Sequence, residues 1–276
     1  MGDPFIGSEA VASGRLSPYA LRSRFVALHP DVYLPAGAEV TAIARAQAAW
    51  LWTRRQGAGQ SAAALHGAKW VDARGPAEIL WQNRRPPTGI HAWSDGFATD
   101  EVELLGGMRV TTPARTALDL ACRYPLGKAV AAIDALARAT HLKLADVDLL
   151  ADRYKGRRGI RKARTVLDLV DPGAESPQET WLRLLVIRNG FPPPRTQIPV
   201  YDEYGALVAV LDMGWDDIKL ALDYEGDHHR NPVRFNKDIR RHDNVMELGW
   251  MDIRVTSRDT EGGIIGRLTT EWGRRK

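Results

Sequence analysis

Cysteine is nearly absent: Cys122 stands alone among 276 residues, so no intramolecular disulfide can form and a disulfide-stapled secreted scaffold is excluded. It sits in the apolar run TALDLACRY, which suits a small buried side chain in a reducing compartment. Long hydrophobic runs are missing too. No stretch approaches the roughly 20 apolar residues of a membrane span, and the opening MGDPFIGSEAVASG lacks the basic-then-apolar order of a secretory signal. These absences predict a cytoplasmic chain with no membrane partner. There is no internal repeat and no low-complexity tract. Acids, finally, are missing from Arg153 to Arg164, which reads RYKGRRGIRKAR.

What is present is ordinary in bulk. The chain is 44% hydrophobic, enough for a core, and long enough for two domains. Net charge is only +4, so the acid-free stretch matters as a local concentration. Arg157, Arg158 and Arg161 within it are candidates for phosphate contacts with a polyanion such as DNA. A solvated linker or helix face explains the same residues equally well.

Local signals predict an α/β (α+β) chain. Ser17-Pro18 is an N-cap and N1 pair for a helix to Phe25, followed by a turn and a short strand. Thr41 to Arg55 is helical, another helix starts at Ser61, PAEILW and GIHAW are strand candidates, and Thr112-Pro113 opens a helical region reaching Asp152 with breaks at Pro125 and near His141. Asp-Pro-Gly at 171–173 marks a boundary. Three parts result: a helix-and-wing element over 1–60, a helical and sheet region with a basic linker over 61–170, and a mixed-sheet domain over 171–276. Trp50, Trp52, Trp70 and Trp81 lie in apolar contexts that suit cores or a partner surface.

The last part carries the chemistry. Ser176-Pro177-Gln178-Glu179 is a capping box, which accounts for Glu179 structurally, and Trp181, Leu182, Leu184, Leu185 and Ile187 form the expected packing side. Strands are predicted over 196–200, 206–212 and 218–225, then a helix over 233–248, a strand over 250–256 and a last helix over 264–272. In LDMGWDDIKLALDYEGDHHR, alternation puts Leu220, Leu222 and Tyr224 on one strand face and Asp223 and Glu225 on the other. A hairpin turn near Asp217 would set Asp212 opposite Asp223, with Cβ atoms about 5 Å apart. Facing carboxylates repel unless a cation neutralises them, and oxygen ligands favour Mg²⁺ or Mn²⁺. The bland alternative is an acidic face on an edge hairpin. His228 and His229 are open between metal binding, proton transfer, phosphate contact and plain exposure. Arg234, Lys237 and Arg241 share one side of the predicted 233–248 helix.

Taken as a set, the Ser-Pro-x-Glu helix start, the strand ending in Leu-Asp212, the acid-x-acid-Gly strand, the nearby histidine, the basic helix and Leu-Gly-Trp resemble the Vsr-like branch of the PD-(D/E)xK endonuclease superfamily, over roughly 175–272. The resemblance implies a restriction-endonuclease-like mixed sheet with Asp212, Asp223 and Glu179 at the metal. Glu225 falls where that superfamily usually has lysine, leaving His229 or Lys237 as the substitute. Upstream, SAAALHG and TTPARTALDLA resemble AbiEi-type antitoxins, in which a winged-helix element precedes a helical and sheet domain. That implies a degenerate winged helix over 1–60, DNA as ligand, and a toxin partner or a second copy of the chain.

Two functions follow as expectations. The first is a Mg²⁺- or Mn²⁺-dependent endonuclease: Asp212 and Asp223 hold the ion, Glu179 or Glu225 binds it through water or accepts a proton, His229 assists the leaving oxygen, and Arg234, Lys237 and Arg241 grip phosphates. The second is a non-catalytic DNA-binding regulator of antitoxin type whose nuclease fold has decayed.

Overall fold

The computed structural model describes residues 2–83, 85–226 and 243–276. The chain divides into two compact units, Met1–Val170 and Asp171–Lys276, and its class is mixed α and β.

The first unit opens with a strand, two short helices and a hairpin. Strands Phe5–Ile6, Val32–Pro35 and Phe25–His29 form an antiparallel sheet in that order. Helix Pro18–Arg24 starts where Ser17 Oγ accepts from the Ala20 amide and Pro18 fixes the first turn. Helix Ala42–Thr53, capped by Thr41, packs on this sheet, and His29 stacks on Trp52 at 4.7 Å between ring centroids.

Next comes a five-stranded mixed sheet, ordered Ile90–Trp93, Ala77–Leu80, Gln56–Gly57, Met108–Thr111, Val102–Leu105. Helix Pro113–Arg123, capped by Thr112, is the hub on which helices Leu126–Thr140, Leu144–Arg153 and Ile160–Leu167 pack. Every residue from Arg115 to Cys122 is buried, so its two charged side chains must find partners inside the protein. Trp70, expected in a core or at a partner surface, is 60% exposed.

The second unit has a four-stranded sheet ordered Met251–Thr256, Leu220–Glu225, Leu207–Trp215, Arg195–Tyr201, with the first pair parallel and the others antiparallel. Helix Pro177–Arg188 and helix Glu261–Arg275 cover one face through Leu182, Leu185, Val186, Ile264 and Leu268, against Met213, Leu220, Leu222 and Val255. Trp181 is not on the packing side as expected. It is 38% exposed and meets Tyr224 edge-on, while Val186 and Arg183 are buried in its stead.

One departure from alternation positions the acids. Leu211 packs with Ile198 and Ala221, yet Met213 packs with Leu222 on the opposite face. The switch falls at Asp212, opposite Gln197, whose φ of 51° is left-handed and breaks the pleat. The sheet side bearing Asp223 is therefore not wholly acidic, since Ala221, Leu211, Val245 and Trp250 make a second small core there. Of the predicted 233–248 helix, residues 243–247 are helical and the remainder before them lies outside the described residues.

Candidate functional site

The hairpin does bring Asp212 and Asp223 together. Paired residues run Trp215↔Leu220, Gly214↔Ala221 and Met213↔Leu222, so the two acids come next across the strands. There the backbone ladder gives way to side chains. The Asp212 N–H donates to Asp223 Oδ1 at 2.8 Å, and the Tyr224 N–H donates to Asp212 Oδ2 at 2.8 Å. Each carboxylate thus holds an amide of the opposite strand where the strands part, and amide dipoles offset part of the mutual repulsion.

The other proposed members are engaged elsewhere. Glu179 Oε2 accepts from the Glu175 N–H at 2.7 Å and Oε1 from Ser176 Oγ at 2.9 Å, while its own N–H reaches Ser176 Oγ, so it serves the cap of its helix. Glu225 pairs with Arg254 at 2.9 Å. Arg254 lies directly beside Asp223 in the parallel register and also reaches Asp252 at 3.5 Å. It is a cation on this face, and the sequence reading missed it because nothing local announces which strand lies next to Leu220–Glu225. Lys219 donates to the Leu248 carbonyl at 2.9 Å. Among the described residues no group of three His, Cys, Asp or Glu side chains is disposed to hold a metal ion. His228, His229, Arg234, Lys237 and Arg241 lie outside the described residues.

The basic run 153–164 is largely structural. Arg157 sits 2.6 Å from Asp119 and 3.3 Å from Asp95, Arg153 pairs with Glu101 and Asp100, Lys162 donates to the Tyr124 carbonyl, and Arg164 pairs with Asp152. These contacts answer the hub helix: Arg115 is fully buried and binds Glu101, Asp119 and the Gly96 carbonyl. Burial pulls the Glu101 carboxyl upward, but hydrogen bonds from Tyr154, Arg115 and Arg153 outweigh it and hold the pKa below its usual range. Of the three arginines expected on phosphate, Arg157 is committed internally. Arg158 and Arg161 are exposed and make no ion pair among the described residues.

Beside this network lies a cleft of about 720 Å³ that local sequence patterns did not announce. Strands Ala77–Leu80 and Ile90–Trp93 supply Glu78, His91 and Trp93; the end of the hub helix supplies Cys122, Arg123 and Tyr124; the loop before Ile160 supplies Arg157 and Arg158. Glu78 is buried. Its Oε2 accepts from the Gln60 N–H at 2.7 Å, its Oε1 from Tyr124 Oη at 2.5 Å, and His91 Nδ1 lies 3.5 Å away. Burial raises the Glu78 pKa in spite of these donors, and burial together with the Glu78 charge pushes the Tyr124 phenol up as well. Arg123 stacks over Trp93 at 4.3 Å and pairs with Asp95. Gly59 fits only as glycine: its φ is 48°, and a Cβ would strike Trp93 and Glu78.

At the first unit's start, Leu21 anchors helix Pro18–Arg24 inward while Tyr19, Arg22 and Arg24 are exposed. The following hairpin exposes Val26. Among the described residues no helix is long and apolar enough to cross a membrane.

Residues 55–169 match the family model of the AbiEi antitoxin C-terminal domain. Two uncharacterized proteins of Mycobacterium tuberculosis are similar to the chain: MT2308 of strain CDC 1551 / Oshkosh and Rv2248 of strain ATCC 25618 / H37Rv, each 32% identical over 159 residues. The alignment spans 57% of this chain and 58% of each relative. No solved structure matches the chain significantly. The part that holds the cleft and the buried ion-pair network is thus the part similar to the AbiEi antitoxin C-terminal domain.

Proposed function

We propose that the protein is a non-catalytic, DNA-binding regulator of antitoxin type. The observation that carries this reading is the reciprocal bonding of Asp212 and Asp223 to backbone amides, which gives two facing acids a structural use and offsets part of their repulsion. Glu225 on Arg254 and Glu179 in its helix cap fit the same reading. So does the similarity of residues 55–169 to an antitoxin domain. Duplex contact is assigned to the strand, two helices and hairpin of residues 5–35, a winged-helix order in which helix Pro18–Arg24 enters the major groove and the hairpin is the wing. Helix Ala42–Thr53 completes the three-helix set from the C-terminal side. The protein partner on this reading is a toxin polypeptide or a second copy of the chain.

The endonuclease reading keeps one specific support, the juxtaposition of Asp212 and Asp223 across the hairpin, and would use Mg²⁺ or Mn²⁺ with His229 and Lys237. One experiment separates the two. The full-length protein is mixed with single- and double-stranded DNA, with and without Mg²⁺ or Mn²⁺. The regulator binds duplex without cutting it in any metal. Metal-dependent nicking that disappears in Asp212→Asn transfers the assignment to the nuclease.

A further inference from the structure

The cleft between strands Ala77–Leu80 and Ile90–Trp93 and the 157–158 loop carries unspent hydrogen-bonding capacity. Trp93 is 2% exposed, and its indole N–H has no acceptor. Arg157 is 11% exposed at its side chain; Nη2 lies within ion-pair distance of Asp95 and Asp119 but makes no well-aligned hydrogen bond, and Nη1 is buried without an acceptor. Both residues line the cleft. Buried donors left unpaired cost about 1 to 3 kcal/mol each, so two of them on one cavity wall call for an acceptor that enters it. At the same wall Arg158 is exposed and makes no ion pair among the described residues, and His91 is half-exposed. The lining acids are already spent: Asp95 holds Arg123 and Arg157, and Glu78 is bonded to Tyr124 and the Gln60 amide. Among the lining side chains donors outnumber unspent acceptors, which is the balance of an anion site.

We infer that this cleft binds a small phosphate-bearing ligand, with Trp93 Nε1, Arg157 Nη1 and the Arg158 guanidinium facing its anionic group. A phosphate suits several N–H donors arriving from different directions better than a planar carboxylate does, because it offers three or four equivalent oxygens. A DNA duplex is too wide to enter a cleft of about 720 Å³, whereas a compound of inorganic-phosphate to nucleotide size fits it. The inference stands apart from the DNA reading, which uses the helix Pro18–Arg24.

The test is thermal-shift and calorimetric titration of the full-length protein with inorganic phosphate, a nucleoside monophosphate, a nucleoside triphosphate, a dicarboxylate and a short DNA duplex. The wild type is compared with Arg158→Ala, which removes an exposed, unpaired side chain and leaves the ligand-free melting temperature in place, and with Trp93→Phe, which deletes the N–H but keeps an aromatic ring. The expected result is saturable binding of one or more phosphorylated compounds, weakened about tenfold in Arg158→Ala and also weakened in Trp93→Phe, with duplex binding unchanged in Arg158→Ala. Binding of inorganic phosphate as tightly as the nucleotides assigns free phosphate as the ligand; tighter nucleotide binding assigns the ester. The inference is overturned by no saturable binding, by preference for the dicarboxylate, or by affinity that both variants retain.

Discussion

Asp212 and Asp223 face each other across a hairpin, and each holds the strands together by accepting a backbone N–H from the other side. Two acids that repel in isolation thereby act as rungs where the ladder ends, in a segment that has just switched faces opposite a left-handed Gln197. Asp212→Ala strands the Tyr224 amide and should lower stability by about 1 to 3 kcal/mol; Asp212→Asn keeps an oxygen acceptor and should cost less. Chemical denaturation with and without Mg²⁺ measures both, and the regulator reading requires the same midpoint in either condition.

The buried ion network makes a sharper forecast. Arg115→Met removes the partner shared by Glu101 and Asp119 and leaves each buried acid with one cation instead of two, Arg153 on Glu101 and Arg157 on Asp119, for a loss of about 1 to 3 kcal/mol. Adding Glu101→Gln to Arg115→Met should recover part of that loss. A double variant no more stable than the single one would mean that the charge on Glu101 is not what the arginine offsets.

Glu78 gives a pH signature. Its pKa in the folded protein lies above the ordinary 4.5, so the fold favours the protonated form. That contribution is fully present below 4.5 and is lost as pH rises through the elevated value. Glu78→Gln imitates the protonated acid: its oxygen can still accept from the Gln60 amide, while its NH2 donates to Tyr124 Oη. Its melting temperature relative to wild type should therefore rise as pH increases from 4.5 through the elevated value in the folded protein.

Gly159 opens helix Ile160–Leu167 with a φ of 87° and no room for a Cβ against the Cys122 backbone. Gly159→Ala combines left-handed strain with a backbone clash and should destabilise by about 1 to 3 kcal/mol. By displacing the adjacent Arg157 and Arg158, it should also weaken binding in the cleft, which titration of the folded variant measures.

DNA binding should depend on the helix Pro18–Arg24. Replacing Arg22 and Arg24 with alanine should weaken duplex binding across sequences. If each arginine meets one phosphate, the slope of log affinity against log salt should fall by about two. An unchanged slope would move the duplex contact elsewhere on the molecule.

What the sequence determined by itself was local. Ser17, Thr41, Thr112 and Ser176 are all side-chain caps where the chain reads as a helix start, because a cap needs only its own next three residues. The same holds for the 220–225 alternation, which put Leu220 and Leu222 into the core. Tertiary structure decided what each charged group was for. Glu78, His91, Trp93, Tyr124 and Arg157 come from distant parts of the chain to one cleft. The acid-free run 153–164 spends four of its seven positive charges on carboxylates and carbonyls elsewhere in the chain, and Arg254 lies beside Asp223 and pairs with Glu225 only because a later strand runs parallel next to theirs. Electrostatic partners act through space, so no window of sequence contains them.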